Sequence, residues 1–230
     1  MNSMKLAVRI FIFSLLCVCV SSIGAMAQVA TKAATDETKQ ANAALLQKLP
    51  FADKTDFENA NRGFIATIPD LDIKDDKGNV VWSLVPYKFL EAEESPDTVN
   101  PSLWRQAQLN MTNGLFKVTD RIYQIRGFDM SNMSIIEGDT GIIIVDPLIS
   151  TETAKAGLDL YFQHRPKKPV VAVIYTHSHV DHYGGVKGVV SEDDVNAGKV
   201  KILAPEGFLE EAVSENVFAG NAMSRRAVYM

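Results

Sequence analysis

Three of the chain's four histidines lie within six positions, in the segment Thr176-His177-Ser178-His179-Val180-Asp181-His182. An unbroken apolar run, residues 169–175, precedes them and is rich in β-branched side chains, which is typical of a buried strand. The cluster therefore follows the carboxyl end of a predicted strand. Because side chains alternate along extended backbone, His177 and His179 can point the same way and offer two imidazoles to one metal ion.

Asp181 and His182 would then face a second ion, about 3.5–4 Å from the first. Imidazole with carboxylate favours Zn²⁺, allows Fe or Mn, and disfavours Ca²⁺ and Mg²⁺, which prefer all-oxygen ligands. Such a metal lowers the pKa of bound water from about 15.7 to about 7, so the nucleophile is predicted to be that water and no side chain is assigned the role. A polar surface loop or a stray transition-metal site is the alternative interpretation.

The first 27 residues have the pattern of a secretory signal peptide. Lys5 and Arg9 precede an apolar core at residues 10–20, and the small-residue cleavage site Ala25-Met26-Ala27 follows. An uncleaved membrane anchor is the alternative, because the apolar stretch is not far below spanning length. Cleavage would leave a periplasmic or secreted chain without a stable membrane span. Both cysteines fall inside residues 1–27, so no disulfide framework is expected beyond them.

The net formal charge of the chain is −5, and removal of residues 1–27 takes away two cationic side chains and no acidic ones. No basic stripe is present to neutralise phosphates. This balance argues against nucleic acid as the main partner.

Residues 28–113 are predicted to form an N-terminal extension that wraps around the rest, because they carry too few apolar residues for an independent core. A helix is predicted over residues 36–49, and a turn at 75–79 precedes a strand at 80–84. Asn100-Pro101 is a helix start with Asn as N-cap and Pro at the first helical position. Residues 57–68 receive no assignment.

Residues 114–230 have a mixed α/β order, which predicts a sheet covered by helices. Strands are predicted around 115–125, a hairpin at 133–136 and 142–145, a helix at 151–164 capped by Ser150, a strand at 200–203 and a helix at 206–216. Glu192-Asp193-Asp194 is interpreted as a solvated charge run. His164, in the last turn of its helix, is predicted to be structural or solvated rather than a metal ligand. Asp146 ends a strand beside the histidine loop, where it either orients a metal ligand or caps a turn before Pro147.

The motif His177-x-His179-x-Asp181-His182 resembles the metal-binding signature of the metallo-β-lactamase fold superfamily. Residues 100–106, 126–132 and 214–226 further resemble the linear primary alkylsulfatases, the secreted dodecyl-sulfate hydrolases of that superfamily. The resemblance implies an αβ/βα sandwich, of which residues 114–230 would be the first part, so that only the N-terminal half of the fold is expected.

The same resemblance implies hydrolysis of a linear alkyl sulfate ester, such as dodecyl sulfate, to an alcohol and inorganic sulfate at a two-zinc site. By motif, His177 and His179 would bind one zinc ion, and Asp181 and His182 the other. Arg225 and Arg226 are candidates for binding the sulfate group, since a guanidinium matches a tetrahedral oxyanion, and Asn221 is a candidate hydrogen-bond donor to the substrate. A solvated basic pair is the alternative for the two arginines. Full-length members of the family are expected to be homodimers.

One departure from the family is large. Its members draw further acidic ligands and another histidine from later in the fold, and no histidine follows His182 here. The 230-residue chain is therefore expected to be a truncated fragment with little or no sulfatase activity. The alternatives are another hydrolase of the superfamily, such as a lactonase or thioesterase, a non-catalytic product of a truncated gene, and a zinc carrier without chemistry.

Overall fold

The structure is a computed structural model that describes residues 32–227. The predicted signal peptide lies outside this range. Among the described residues, no helix combines the length and apolar character that crossing a membrane requires.

The described chain folds into helices and strands that alternate in its second half. The helices are α1 Asp36–Lys48, α2 Thr55–Asn61, α3 Pro101–Asn110, α4 Thr151–His164, α5 Glu192–Asn196, α6 Phe208–Val213 and α7 Gly220–Ala227. The strands are β1 Phe64–Ala66, β2 Asp72–Lys74, β3 Val80–Ser83, β4 Gly114–Thr119, β5 Ile122–Arg126, β6 Met133–Glu137, β7 Ile142–Val145, β8 Val170–Ile174 and β9 Lys201–Leu203.

A seven-stranded mixed sheet organises the chain, in the order β1-β4-β5-β6-β7-β8-β9. Strands β1 and β4 to β7 pair antiparallel, whereas β7, β8 and β9 run parallel. The predicted hairpin is confirmed, with Ile136 opposite Ile143. Because β7 and β8 are parallel, their carboxyl ends meet at one edge of the sheet, and this edge carries the histidine loop.

Helix α4 covers one face of the sheet and agrees with its predicted bounds. The side chain of Ser150 accepts from the Thr153 amide, and the Thr153 hydroxyl accepts from the Ser150 amide, so both helix-start donors are satisfied. An added Cβ on Gly157 would lie 3.1 Å from side-chain carbons of Ile125 and Met133. The absence of a side chain there lets α4 approach the sheet closely.

The N-terminal extension contributes a strand to the main sheet in addition to packing against it. Strand β1 extends the sheet beside β4, with Phe64 opposite Phe116. The two-stranded sheet β2-β3 brings Leu71, Ile73 and Leu84 into the common core. The contribution of β1 to the main sheet was not predicted, because three residues are too few to show a strand period.

Two segments near the C-terminus have more helical structure or other bounds than predicted. Glu192-Asp193-Asp194, interpreted as a solvated charge run, lies in the first turn of the short helix α5, where Glu192 and Asp193 are exposed and the N-cap Ser191 accepts from the Asp194 amide. The helix predicted over 206–216 is shorter, because α6 ends at Val213 and a π-helical turn occupies Ser214–Phe218. Helix α7 follows this turn and was not predicted.

An ion pair between buried Glu137 and half-buried Arg165 lies at the opposite end of the sheet from the histidine loop and gives a test of acid stability. Glu137 accepts from Arg165 Nε and Nη2 at 2.8 and 2.9 Å, and from the Tyr161 hydroxyl at 2.6 Å. The hydrogen bonds from Arg165 outweigh desolvation and lower the pKa of Glu137 below its ordinary 4.5. The carboxylate therefore stabilises the fold above about pH 4.5, and this contribution is lost as the pH falls through the lowered pKa.

We expect Glu137→Gln to lower the free energy of unfolding by about 2 kcal/mol at pH 7, because hydrogen bonds to a charged group are weakened. The difference between variant and parent should shrink between pH 4.5 and pH 3, as followed by urea denaturation at each pH. Asp139→Asn is the control, since that exposed carboxylate pairs with Arg121 on the surface. A constant difference at every pH would contradict the assigned role of Glu137.

Candidate metal centre

The candidate metal centre lies where β7 and β8 end. The Asp146 amide donates to the Ile174 carbonyl oxygen at 2.9 Å, which holds the two strand ends side by side. His177 lies in a bend just after β8, His179 has extended backbone, and Val180–His182 forms a 3₁₀ turn. This turn brings His182 back toward His177, so that their ring centroids are 4.1 Å apart.

The donor atoms form two pairs. Nε2 of His177 lies 3.0 Å from Nδ1 of His179, and Nε2 of His182 lies 3.4 Å from Oδ2 of Asp181. Two ligands bonded to one tetrahedral zinc ion at about 2.0–2.1 Å lie about 3.3 Å from each other. Each pair thus has nearly the spacing of two ligands on one ion. The assignment of the four side chains to two metal ions stays a prediction.

Two donors do not complete a tetrahedral shell. Over residues 32–227, no group of three or more His, Cys, Asp or Glu side chains has a geometry that could hold a metal ion. The chemistry of the donor set, three imidazoles and one carboxylate, nevertheless fits zinc. The residues present therefore suit a metal ion in kind and in pairwise spacing, and further ligands are needed to complete each shell.

Asp146 contacts three groups of the histidine loop. Its carboxylate accepts from the Thr176 amide at 2.8 Å and from the Thr176 hydroxyl at 2.7 Å, and Oδ2 lies 2.9 Å from Nδ1 of His182. We assign the Nδ1 proton of His182 to this contact, which leaves Nε2 free to bind a metal. The Thr176 oxygen lies 2.9 Å from Nδ1 of His177 and can accept its proton, which frees Nε2 of His177 in the same way.

The backbone around this edge is tightly constrained. Asp146 and Leu148 have positive φ angles of 54° and 63°, on either side of Pro147, in a region that non-glycine residues rarely adopt. An added Cβ on Gly184 would collide with the Ile149 carbonyl oxygen, and one on Gly185 with that of Pro147. Only glycine lets the chain that leaves the histidine loop pass so close to the end of β7.

The buried carboxylate of Asp129 stabilises the histidine loop through hydrogen bonds, and this role was not predicted. Asp129 accepts from the Ser131 amide, the Ile149 amide and the Thr153 hydroxyl at 2.8–2.9 Å. Its burial raises the pKa of the carboxyl group above the ordinary value, against these hydrogen bonds. The hydroxyl of Ser131 donates to the carbonyl oxygen of Asp181, which ties the loop to this support.

Glu215 is a second residue that the sequence did not single out. Its Oε1 lies 3.2 Å from Nε2 of His179, and it comes from the π-helical turn between α6 and α7. Asn216 in the same turn donates to the Tyr183 hydroxyl at 3.1 Å. The only available signal was the resemblance of residues 214–226, since a π-helical turn has no recognisable sequence period.

The proposed sulfate-binding residues lie on α7, one helix beyond Glu215. Asn221, Arg225 and Arg226 are all exposed. Nε of Arg225 donates to the Asn221 carbonyl oxygen at 3.3 Å, a contact within the helix. Their role in substrate binding therefore stays a prediction. His164 is exposed in the last turn of α4 and lies outside the metal loop.

The chain is similar to alkylsulfatases over most of its length. The sequence profile of the metallo-β-lactamase superfamily matches residues 126–228. A linear primary-alkylsulfatase from a Pseudomonas species is 68% identical over 200 residues, which cover 86% of this chain and 30% of that protein. An alkyl/aryl-sulfatase from Saccharomyces cerevisiae is 58% identical over 192 residues, 84% of this chain and 30% of that protein.

The solved structure of a stereoselective inverting sec-alkylsulfatase from a Pseudomonas species matches with a TM-score of 0.81 and 57% sequence identity. The match covers 86% of this chain and 31% of that one. The predicted α/β fold class is confirmed by this likeness and by the mixed sheet. The chain spans about 30% of the length of the curated relatives that it matches.

Proposed function

Because the chain belongs to the alkylsulfatase family of the metallo-β-lactamase superfamily, we propose that it supplies the metal-binding part of an enzyme that hydrolyses alkyl sulfate esters. The observation that carries the proposal is the pairing of donors at the end of β8: His177 with His179, and Asp181 with His182. We further propose a linear primary alkyl sulfate, such as dodecyl sulfate, as the substrate, on the 68% identity to the linear primary-alkylsulfatase.

Two zinc ions held by these pairs would supply Lewis-acid chemistry and lower the pKa of a water ligand to about 7. The chain's own residues prepare the site for them. Asp146 accepts a hydrogen bond from Nδ1 of His182 and another from the Thr176 hydroxyl. The Thr176 oxygen contacts Nδ1 of His177 in turn and so fixes the orientation of that ring. Outer contacts of this kind typically contribute 10–100-fold to metal affinity or activity.

The location and the assembly of the protein are proposed from its sequence. Residues 1–27 carry the signal-peptide pattern, so we propose a periplasmic or secreted enzyme. The homodimer follows only from the family resemblance and is proposed on that basis.

Sulfate release from dodecyl sulfate tests the proposed function. The described residues offer two donors to each ion, so the chain alone with added Zn²⁺ is expected to release little or no sulfate. A chimera should be active, in which the chain replaces the matching 30% of the Pseudomonas linear primary-alkylsulfatase. We expect its turnover to lie within about tenfold of the parent enzyme, because its ligand shells would be complete.

Three results would count against the proposed function or the expected inactivity of the chain alone. Turnover by the chain alone, near that of the intact relative, would show that its own residues complete the site. A chimera that cleaves a lactone or a thioester but not dodecyl sulfate would favour another hydrolase of the superfamily. An inactive chimera that still binds two zinc ions would favour a carrier role.

A further inference from the structure

The π-helical turn Ser214–Phe218 contacts the histidine loop through two consecutive residues. Oε1 of Glu215 lies 3.2 Å from Nε2 of His179, and the side-chain amide of Asn216 donates to the Tyr183 hydroxyl at 3.1 Å. Single π-helical turns are frequent at functional sites. The proposed metal chemistry gives the contact between Glu215 and His179 no role so far.

Aromatic packing anchors the helix before this turn on both sides of the metal-binding motif. Phe208, the first residue of α6, stacks on Tyr175 with ring centroids 5.4 Å apart and meets Tyr183 edge-on at 5.2 Å. Tyr175 directly follows β8 and is buried, and Tyr183 ends the 3₁₀ turn. This packing fixes the helix that leads to Glu215 relative to His179.

The hydrogen bonds of His177 determine which nitrogen of His179 can share an ion with it. The Thr176 hydroxyl donates to Asp146, so its oxygen accepts from Nδ1 of His177 at 2.9 Å. Nε2 of His177 then has no proton and faces Nδ1 of His179 at 3.0 Å. Since two ligands of one tetrahedral zinc ion lie about 3.3 Å apart, these two atoms are the ones placed to share it. Nε2 of His179 is thus left as a proton donor.

We propose that Glu215 is a positioning residue, which accepts a hydrogen bond from Nε2 of His179 and thereby selects Nδ1 as the metal-binding atom of that ring. A neutral imidazole carries one proton, so fixing it on Nε2 leaves Nδ1 unprotonated. The unprotonated nitrogens of His177 and His179 then face each other, and a cation between them removes their mutual repulsion. The inference rests on the proposed function, because the zinc ion is taken from it.

Solvent limits the size of the expected effect. The side chains of Glu215 and His179 are 23% and 57% exposed, so water can also accept the Nε2 proton. We therefore expect the contact to contribute about tenfold to zinc affinity, the lower end of the 10–100-fold typical of outer contacts to metal ligands.

The position of the proton can be measured directly in the 230-residue chain with Zn²⁺ bound. Long-range ¹H–¹⁵N spectra distinguish a histidine ring protonated on Nε2 from one protonated on Nδ1, and single histidine-to-alanine variants assign the four rings. We expect zinc-bound His179 to carry its proton on Nε2. A proton on Nδ1 would place the metal ion on Nε2, beside Glu215, and would overturn the inference.

Zinc titrations of the same chain, followed by the ring signals, measure the affinity of each donor pair separately. Glu215→Ala should weaken zinc binding at His177 and His179 about tenfold and leave binding at His182 unchanged. A general loss of structure would weaken both. Glu215→Gln should lie between Glu215→Ala and the parent, because its amide oxygen can still accept a hydrogen bond from Nε2.

Two control variants separate the carboxylate from its surroundings. Glu211→Ala removes an exposed carboxylate of α6, four residues earlier. Asn216→Ala removes the other contact of the π-helical turn with the loop. Both should bind zinc like the parent, and far-ultraviolet circular dichroism verifies that each variant is folded. The inference is overturned if folded Glu215→Ala binds zinc as tightly as Glu211→Ala, or if Asn216→Ala causes the same loss.

These measurements are independent of sulfate release. A chimera that does not hydrolyse dodecyl sulfate, combined with zinc-bound His179 protonated on Nε2, would reject the proposed function and support the role of Glu215. An active chimera, combined with His179 protonated on Nδ1, would support the proposed function and reject the role of Glu215.

Discussion

Replacing His177 by alanine in the active chimera is expected to lower kcat/KM for dodecyl sulfate by more than about 10³-fold. Loss of an outer contact to a metal ligand typically costs 10–100-fold, and loss of the ligand itself must cost more. His177 Nε2 lies 3.0 Å from His179 Nδ1, so its removal leaves one of that pair of donors. Dialysed protein should also lose about one of its two zinc ions by elemental analysis.

His164→Ala is the matched control, because this exposed histidine lies at the end of α4, outside the loop. Its activity and zinc content should equal those of the parent chimera. Asp146→Asn should fall between the two, with a 10–100-fold loss, since it weakens the orientation of His182 without removing a ligand. Unchanged activity of folded His177→Ala would reject the assigned metal centre.

The part of this site that could be predicted depends on local sequence. The apolar run at 169–175 predicts β8, and the histidine spacing in the next residues predicts their pairing. Asp146 could be placed beside the loop because two parallel strands end at the same edge of a sheet. These inferences need only strand periodicity and the order of elements along the chain.

The part that could not be predicted depends on contacts between distant segments. Asp129 accepts hydrogen bonds from Ile149 and Thr153, which lie 20 and 24 residues further along the chain. No local sequence pattern predicts these two contacts. Glu215 reaches His179 because a π-helical turn rotates it there. Strand β1 joins the sheet through its pairing with β4, although it has only three residues.

Asp129 is where such distant contacts should have their largest effect on stability. Asp129→Ala leaves the buried Ser131 amide and the half-buried Ile149 amide without their acceptor, at about 1–3 kcal/mol each. Relief of the carboxylate's desolvation, which raises its pKa, offsets part of this loss. We expect the free energy of unfolding of the 230-residue chain to fall by about 3–4 kcal/mol, measured by urea denaturation.

The matched control is Asp159→Ala on α4, where an exposed carboxylate pairs with Lys155 at 2.5 Å. This surface pair should contribute no more than about 0.5 kcal/mol. Asp129→Asn should be intermediate, because one side-chain oxygen is kept while the new amide group cannot accept a hydrogen bond. Since Ser131 also holds the Asp181 carbonyl, Asp129→Ala in the chimera should weaken zinc binding. If Asp129→Ala and Asp159→Ala unfold at the same urea concentration, Asp129 is not the support of the loop.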